Sequence, residues 1–305
     1  MTLLNIDGLS VRFRLRDATV QAVSDHTFAV RRGELLAIVG ESGCGKSVLA
    51  HALFGLLPRN AEVSGRAILD GVDLIGCGEK RLAREIRGRR LGLVPQSPAT
   101  ALTPVRTGRR LLAETLRAHQ RDPALADSLA EQVGLDAAAL GKYPFELSGG
   151  MAQRLVTALA LAPDPALLIA DEPTTGLDRP LVDHTLDLLR RRCDSGGTVL
   201  LITHDLAAAE RVADTVAVMY ASRIVEHRPA ADVFTAPAHP YTCALLNALP
   251  DRAFQPIAGH PPMLTALPAG CAFAPRCTHA DGACATLPAG PPVACHHPLV
   301  TEAAA

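Results

Sequence analysis

No stretch of the 305-residue sequence stays apolar for the roughly 18 residues that a bilayer-crossing helix requires, because the richest runs are cut by Asp164, Pro165, Asp171 or His204. No membrane-spanning helix is expected. An excess of one charge is missing too: 30 basic residues face 31 acidic ones. That balance provides no field to hold a nucleic-acid backbone by counterion release, so nucleic acid is not an expected partner. The first residues, Met1 to Asp7, carry no basic leader ahead of a long apolar core, and a cytoplasmic product is the expectation. Lysine is scarce, with only Lys46, Lys80 and Lys142. Structural disulfides do not fit a reducing compartment, so the eight cysteines read as metal ligands or small core residues. What is present is a chain 48% hydrophobic and 20% charged, enough apolar material for a core and too little charge for general disorder.

Proline divides the chain unevenly: 13 of its 23 prolines fall in the last 77 residues, where helix interiors and central strands are hard to build. A boundary is therefore expected near 235. Before it, short apolar runs at Leu35–Val39, Leu91–Val94, Leu167–Ala170, Val199–Thr203 and Val216–Met219 alternate with helical patterns after Lys46, Gly150, Arg179 and Asp205. This alternation predicts an α/β fold with a largely parallel, doubly covered sheet. Leu3–Phe13 and Ala22–Val30 alternate polar and apolar residues, which predicts an antiparallel β lobe with one wet face. Strand signals vanish between about 97 and 160, where Leu, Ala, Arg and Glu predict a helical insertion.

Gly40-Glu41-Ser42-Gly43-Cys44-Gly45-Lys46-Ser47 follows a predicted strand and opens a predicted helix, the context a phosphate loop requires. Its glycines let backbone amides converge on phosphate oxygens at a helix N-terminus. Lys46 offers a point charge to the β and γ phosphates, and the Ser47 hydroxyl offers a ligand to Mg²⁺, so ATP or GTP is the expected ligand. Leu167 to Glu172 is an apolar strand ending in two carboxylates, where open α/β sheets bind ligands. Asp171 is the candidate Mg²⁺ ligand and Glu172 the candidate general base. In Leu147-Ser148-Gly149-Gly150-Met151-Ala152-Gln153-Arg154 a hydroxyl and two glycines start a helix, a second anion site. Two such sites for one nucleotide suggest a dimer with ATP between the phosphate loop of one subunit and this helix start of the other.

These residues resemble the ATP-binding cassette family over most of positions 1–235. The phosphate loop 40–47, Gln96 after a strand, the signature 147–151, the acidic pair 171–172, the turn Thr174-Thr175-Gly176-Leu177-Asp178 and His204 at a strand end stand in the family's order. The resemblance implies that Gln96 reaches the Mg²⁺ and the attacking water and couples the site to the helical insertion. It implies that Ser148, Gly149 and Gly150 contact the nucleotide held by the partner subunit, that Asp178 crosses the interface and that His204 contacts the γ-phosphate. An aromatic residue that stacks on adenine in many relatives is absent from Asp17 to Thr27, and Phe13 is the nearest one. Leu147 lies 101 positions after Lys46, too close for the long coiled coil of repair ATPases, and there is one cassette and no membrane helix. The chain thus looks like the separate ATPase subunit of an importer, on the cytoplasmic face of the membrane. The alternative from a different class is a soluble cassette ATPase with no membrane partner.

The last third narrows the branch. His239-Pro240-Tyr241-Thr242, followed by an expected helix Ala244–Leu249, resembles the segment after the cassette in dipeptide and oligopeptide importer ATPases. That family implies a partner ATPase, a paralogue in a heterodimer as the Gly150-Met151 pair suggests. It also implies two integral-membrane permease subunits and, indirectly, an extracytoplasmic substrate-binding protein. Nickel or another metal chelate, or a small glycoside, is the alternative cargo. Beyond it, Gly270-Cys271-Ala272-Phe273-Ala274-Pro275-Arg276-Cys277 is followed by Cys284 and Cys295. Four cysteines in a Pro-rich segment poor in core residues call for a metal staple. With no tight Cys-x₂₋₄-Cys pair, an iron–sulfur cluster suits them better than zinc. Relatives resemble this tail in carrying a 4Fe-4S segment, zinc is the second choice, and His279, His296 and His297 are substitute ligands. The expected extension spans 236–305.

Overall fold

The computed structural model describes residues 1–299, so the last residues of the expected extension lie outside the described part. Its strands are β1 (Thr2–Arg14), β2 (Thr19–Arg31), β3 (Leu35–Val39), β4 (Ala61–Leu69), β5 (Val72–Asp73), β6 (Leu91–Val94), β7 (Leu167–Asp171), β8 (Thr198–Thr203), β9 (Thr215–Tyr220) and β10 (Arg223–Pro229). The chain divides into two compact units, one of Met1–Arg31, Leu36–Cys77 and the described part of Thr203–Ala305, the other of Arg32–Leu35 and Gly78–Ile202.

In the first unit β2, β1, β4 and β5 form an antiparallel sheet in that order. Leu4, Ile6, Leu9 and Val11 are buried while Asn5, Asp7 and Arg12 are exposed, so β1 is the expected one-face-wet strand with its phase reset near Gly8. β3 runs parallel to β9, which pairs antiparallel with β10. All five residues of β3 are buried, as are Val216 to Tyr220 of β9, which explains their continuous apolar runs.

In the second unit β7 lies parallel between β6 and β8, and every residue of β7 and β8 is buried. The helical insertion is present as Gly108–Ala118, Leu125–Gln132 and Gly149–Leu161 with short turns between them. Among the described residues no helix is long and apolar enough to cross a membrane.

The Pro-rich tail gains order by docking on the strands of its own unit rather than by forming a separate core. Backbone hydrogen bonds run from Gln21 N to Leu264 O (2.9 Å), His227 N to Pro292 O (2.8 Å), Ala294 N to Val225 O (2.8 Å) and Leu299 N to Ala238 O (2.8 Å). Phe273 is its buried anchor, packed edge-on against Tyr220 and Tyr241. The helix expected at Ala244–Leu249 is found at Pro240–Asn247. It starts earlier because Pro240, whose missing N–H costs nothing in a first turn, stands just inside, and His239 caps it by accepting the Tyr241 amide on Nδ1 (2.9 Å).

That capping histidine carries a pH prediction. Burial holds the pKa of His239 down to about 4, and burial does the same to His26, also at about 4. Between pH of about 6.5 and 4 the unfolded chain binds these protons and the folded chain does not, so stability falls as pH falls. Lowering the pH from 7 to 5 is expected to cost about 2 kcal/mol per histidine. His239→Asn keeps a capping acceptor and removes the titration. Urea unfolding at both pH values should show a smaller loss in the variant, and equal losses would contradict this account.

Candidate nucleotide site

The strand β3 delivers the chain into the loop Gly40–Gly45, and the helix Lys46–Phe54 leaves it. Two glycines are required by space as well as by torsion. A Cβ on Gly40 (φ +152°) would lie 2.1 Å from the Met219 carbonyl oxygen, and one on Gly45 (φ +110°) 1.9 Å from that of Ala22. Ser42 and Gly43 are exposed, Ser47 half-buried and Cys44 buried. Burial pushes the Cys44 thiol up, which leaves it a small apolar core group. Lys46 is buried and folded back on the loop: Nζ donates to Gly40 O (2.7 Å) and Glu41 O (3.1 Å). The only lysine of the loop thus rests on the loop's own carbonyls. His204 belongs to the same unit and is exposed just after β8.

The other expected residues belong to the second unit. Asp171 closes β7 and is 2% exposed. Glu172 follows with φ +50°, a left-handed conformation that is strained for a glutamate, held by its amide donating to Ile202 O (2.8 Å). Gln96 is exposed just beyond β6. Ser148 caps the helix Gly149–Leu161 by accepting the Met151 amide on Oγ (3.3 Å). Gly149 faces open space, whereas a Cβ on Gly150 would meet Leu177 at 3.3 Å. Asp178 caps Arg179–Asp194 by accepting the Leu181 amide (3.3 Å), after a turn whose Gly176 has φ +75°. Leu177 therefore ties the signature helix to the turn that ends in Asp178, a contact that spacing alone does not reveal.

The structure adds residues to the loop's surroundings that the sequence did not mark. Tyr241 Oη accepts the Glu41 amide (3.2 Å), and Arg276 pairs with the Glu41 carboxylate (3.1 Å). Phe13, the aromatic nearest the gap at 17–27, is half-buried in β1.

The tail brings Cys271, Cys277, Cys284 and Cys295 into one neighbourhood without disulfides. Burial first, then the proximity of Cys284 and Cys277, pushes the Cys271 thiol up; burial and the other three cysteines do the same to Cys295. Cys271 N donates to Cys284 O (3.0 Å). The Cys277 and Cys295 sulfurs each accept the amide two residues on, from His279 (3.4 Å) and His297 (3.3 Å). Amides aimed at sulfur stabilise thiolate, the form that binds metal. Among the described residues, the ligand atoms of Asp281, Cys284 and His297 also lie within 4.8 Å of one another.

Comparison with known proteins agrees with this geometry. Residues 23–175 match the family described as ABC transporter, and residues 225–284 match the oligopeptide/dipeptide transporter C-terminal region. The oligopeptide transport ATP-binding protein OppD of Escherichia coli (strain K12) is 41% identical over 301 residues, covering 94% of this chain and 88% of that one. The protein of the same name from Haemophilus influenzae is 40% identical over 299 residues, covering 94% and 92%. Among solved structures, the ATP-binding cassette MJ0796, a dimer in a post-hydrolysis state bound to ADP and Pi, superposes with a TM-score of 0.68 at 22% identity over 74% of this chain and 98% of that one. The strand-loop-helix phosphate site, the capped signature helix and the acidic strand end therefore identify this chain as a member of the ABC transporter family, an ATPase subunit with the fold of an ATP-binding cassette.

Proposed function

We propose that this chain drives the import of dipeptides and oligopeptides as the peripheral ATPase on the cytoplasmic face of the membrane. The observation that carries the proposal is the joint match of cassette and tail, at 23–175 and 225–284, within one chain. The cassette spans 1–235, its helical part near 97–160 transmits closure to the membrane subunits, and 236–305 is the extension of the peptide-importer branch. It works as a nucleotide-sandwich dimer with a paralogous ATPase, fed by an extracytoplasmic binding protein. ATP lies with its phosphates on Gly40, Ser42, Gly43, Cys44, Gly45, Lys46 and Ser47, and Ser47, Asp171 and Gln96 serve the Mg²⁺. Glu172 takes the proton of the attacking water, and His204 sits at the γ-phosphate. Ser148, Gly149, Gly150 and Asp178 act across the dimer. Closure around ATP and reopening after hydrolysis would move the permeases.

Cys271, Cys277, Cys284 and Cys295 are the proposed ligands of a 4Fe-4S cluster. Their mutual proximity and the amides directed at the Cys277 and Cys295 sulfurs support this reading, and a bound cluster would have to supply the positive charge that offsets the raised thiol pKa of Cys271 and Cys295. Zinc, held by four ligands at about 2.3 Å, is the second choice, and among the described residues the close-gathered ligand atoms are not those of the four cysteines. The trio Asp281, Cys284 and His297 is the one arrangement there that favours zinc.

The test is reconstitution with a permease pair and binding protein of a dipeptide/oligopeptide importer. Peptide-loaded binding protein should stimulate ATP hydrolysis and peptide accumulation in proteoliposomes. Stimulation by a nickel chelate alone would reassign the cargo, and absence of membrane association would favour a soluble ATPase. Elemental analysis of the anaerobically purified chain should find about four irons, lost in Cys277→Ser; one zinc retained in Cys277→Ser would point to the trio instead.

A further inference from the structure

The nucleotide site as drawn makes no use of the Glu41 side chain, and it gives the tail no part in handling ATP. Yet the tail reaches the phosphate loop. Arg276 Nη1 donates to Glu41 Oε2 (3.1 Å) and Nη2 to Oε1 (3.3 Å), a two-pronged pairing of guanidinium with carboxylate. The remaining donors are engaged as well: Nε with Ala258 O (2.9 Å), Nη1 with Tyr220 Oη (3.2 Å) and Nη2 with Ile257 O (3.4 Å). The side chain is only 4% exposed, and its guanidinium carbon lies 5.7 Å and 5.9 Å from the ring centres of Tyr220 and Phe273. A surface ion pair of ordinary exposure contributes little. This one has a buried cation whose every donor is placed, so loss of Glu41 leaves a buried charge uncompensated, while loss of Arg276 leaves a partly exposed carboxylate without its restraint.

Glu41 is fixed from all sides. Its carboxylate is held by Arg276, its amide donates to Tyr241 Oη (3.2 Å), and its carbonyl accepts Lys46 Nζ (3.1 Å). Two of these three restraints come from residues beyond 240. Arg276 directly precedes Cys277 and closes a single 3₁₀ turn, Ala274–Arg276, that begins three residues after Cys271. A change in the backbone between those two cysteines therefore moves the guanidinium.

We propose that Arg276 is a positioning residue of the phosphate loop, holding Glu41 and hence the carbonyl on which Lys46 rests, so that the conformation of the Cys271–Cys277 segment sets the affinity for ATP. The inference rests on the reading of 40–47 as the ATP loop and adds a reciprocal coupling: ATP must in turn order the cysteine segment. Arg276 does not touch nucleotide.

The test uses the full chain as purified, with a fluorescent ATP analogue and Mg²⁺, together with hydrogen exchange of the peptide containing 271–277. Arg276→Met should weaken binding about tenfold, and Arg276→Lys should recover little of it, because an ammonium cannot make the two-pronged contact. Glu41→Gln should weaken binding too, and the double variant should be no weaker than Arg276→Met within about twofold, since both remove one interaction. ATP should slow exchange at 271–277 in the wild type and not in Arg276→Met. Unchanged affinity in folded Arg276→Met, or losses that multiply in the double variant, would overturn the proposal. If Arg276→Met fails to fold, Glu41→Gln decides: it must both lose affinity and lose the ATP-dependent slowing of exchange. A wild-type chain that does not bind the analogue would instead refute the ATP loop itself.

Discussion

Glu172→Gln should retain ATP binding and lose hydrolysis by a factor of about 10² to 10⁴, the range over which a positioned general base acts. Glutamine keeps the size and hydrogen-bonding reach of the side chain but cannot accept the proton of the attacking water. The structural reason to single out this carboxylate is its backbone. Asp171 ends a fully buried strand in relaxed extended geometry, whereas Glu172, 7% exposed, is held at φ +50° with its amide on Ile202 O. A left-handed glutamate costs on the order of 1–3 kcal/mol, and such strain persists where the surroundings impose it for a purpose. Glu172→Gly, which relaxes the backbone, should therefore be as inactive as Glu172→Gln while melting higher than the wild type. Single-turnover hydrolysis and thermal melts separate the two effects. Normal turnover in Glu172→Gln would remove Glu172 from the base role.

The parts of this fold that were readable from sequence have either two-sided burial or, as in β1 and β2, a regular alternation of buried and exposed residues. β3, β7 and β8 are apolar without interruption because both faces are covered, and the phosphate loop between β3 and its helix is fixed by local glycine geometry. β4 escaped notice because it is polar, mostly exposed at its start, and broken by Gly65, whose missing Cβ lets it approach the Gly8 carbonyl of β1 to within van der Waals range. β10 escaped for a different reason: Glu226 and Arg228 read as surface, but Glu226 is fully buried and its carboxylate accepts the amides of Ala238 (3.0 Å) and His239 (2.9 Å). The strand-to-helix loop Gly40–Gly45 itself was legible, while its supports were not. Tyr241 and Arg276 are 200 and 235 positions from Glu41, and only the folded tail brings them there.

Gly45→Ala should reduce ATP affinity by more than about 100-fold and destabilise the first unit, by a few kcal/mol in the manner of other overpacked sites. The added methyl has no room to yield into: its atom would sit 1.9 Å from the Ala22 oxygen, 3.0 Å from the Ala22 carbonyl carbon and 2.9 Å from Met219 Cε. Ala22 and Met219 are buried in β2 and β9, so the phosphate loop must give way instead. Its φ of +110° adds torsional strain that alanine cannot relieve. Since Gly45 carries Lys46 and its carbonyl accepts the Leu49 amide (3.2 Å), a shift there both withdraws the lysine from the phosphates and loosens the first helical turn. Lys46→Ala supplies the contrast. It removes the same charge from the phosphates without pressing on β2 or β9, and the 7% exposed ammonium it takes away is held by the Gly40 and Glu41 carbonyls of its own loop. Nucleotide titration and urea unfolding on both variants should therefore show two losses of binding but only one loss of stability. Gly45→Ala that binds ATP within a few-fold of wild type would mean that the loop can move away from Ala22 and still hold phosphate, and would overturn this account.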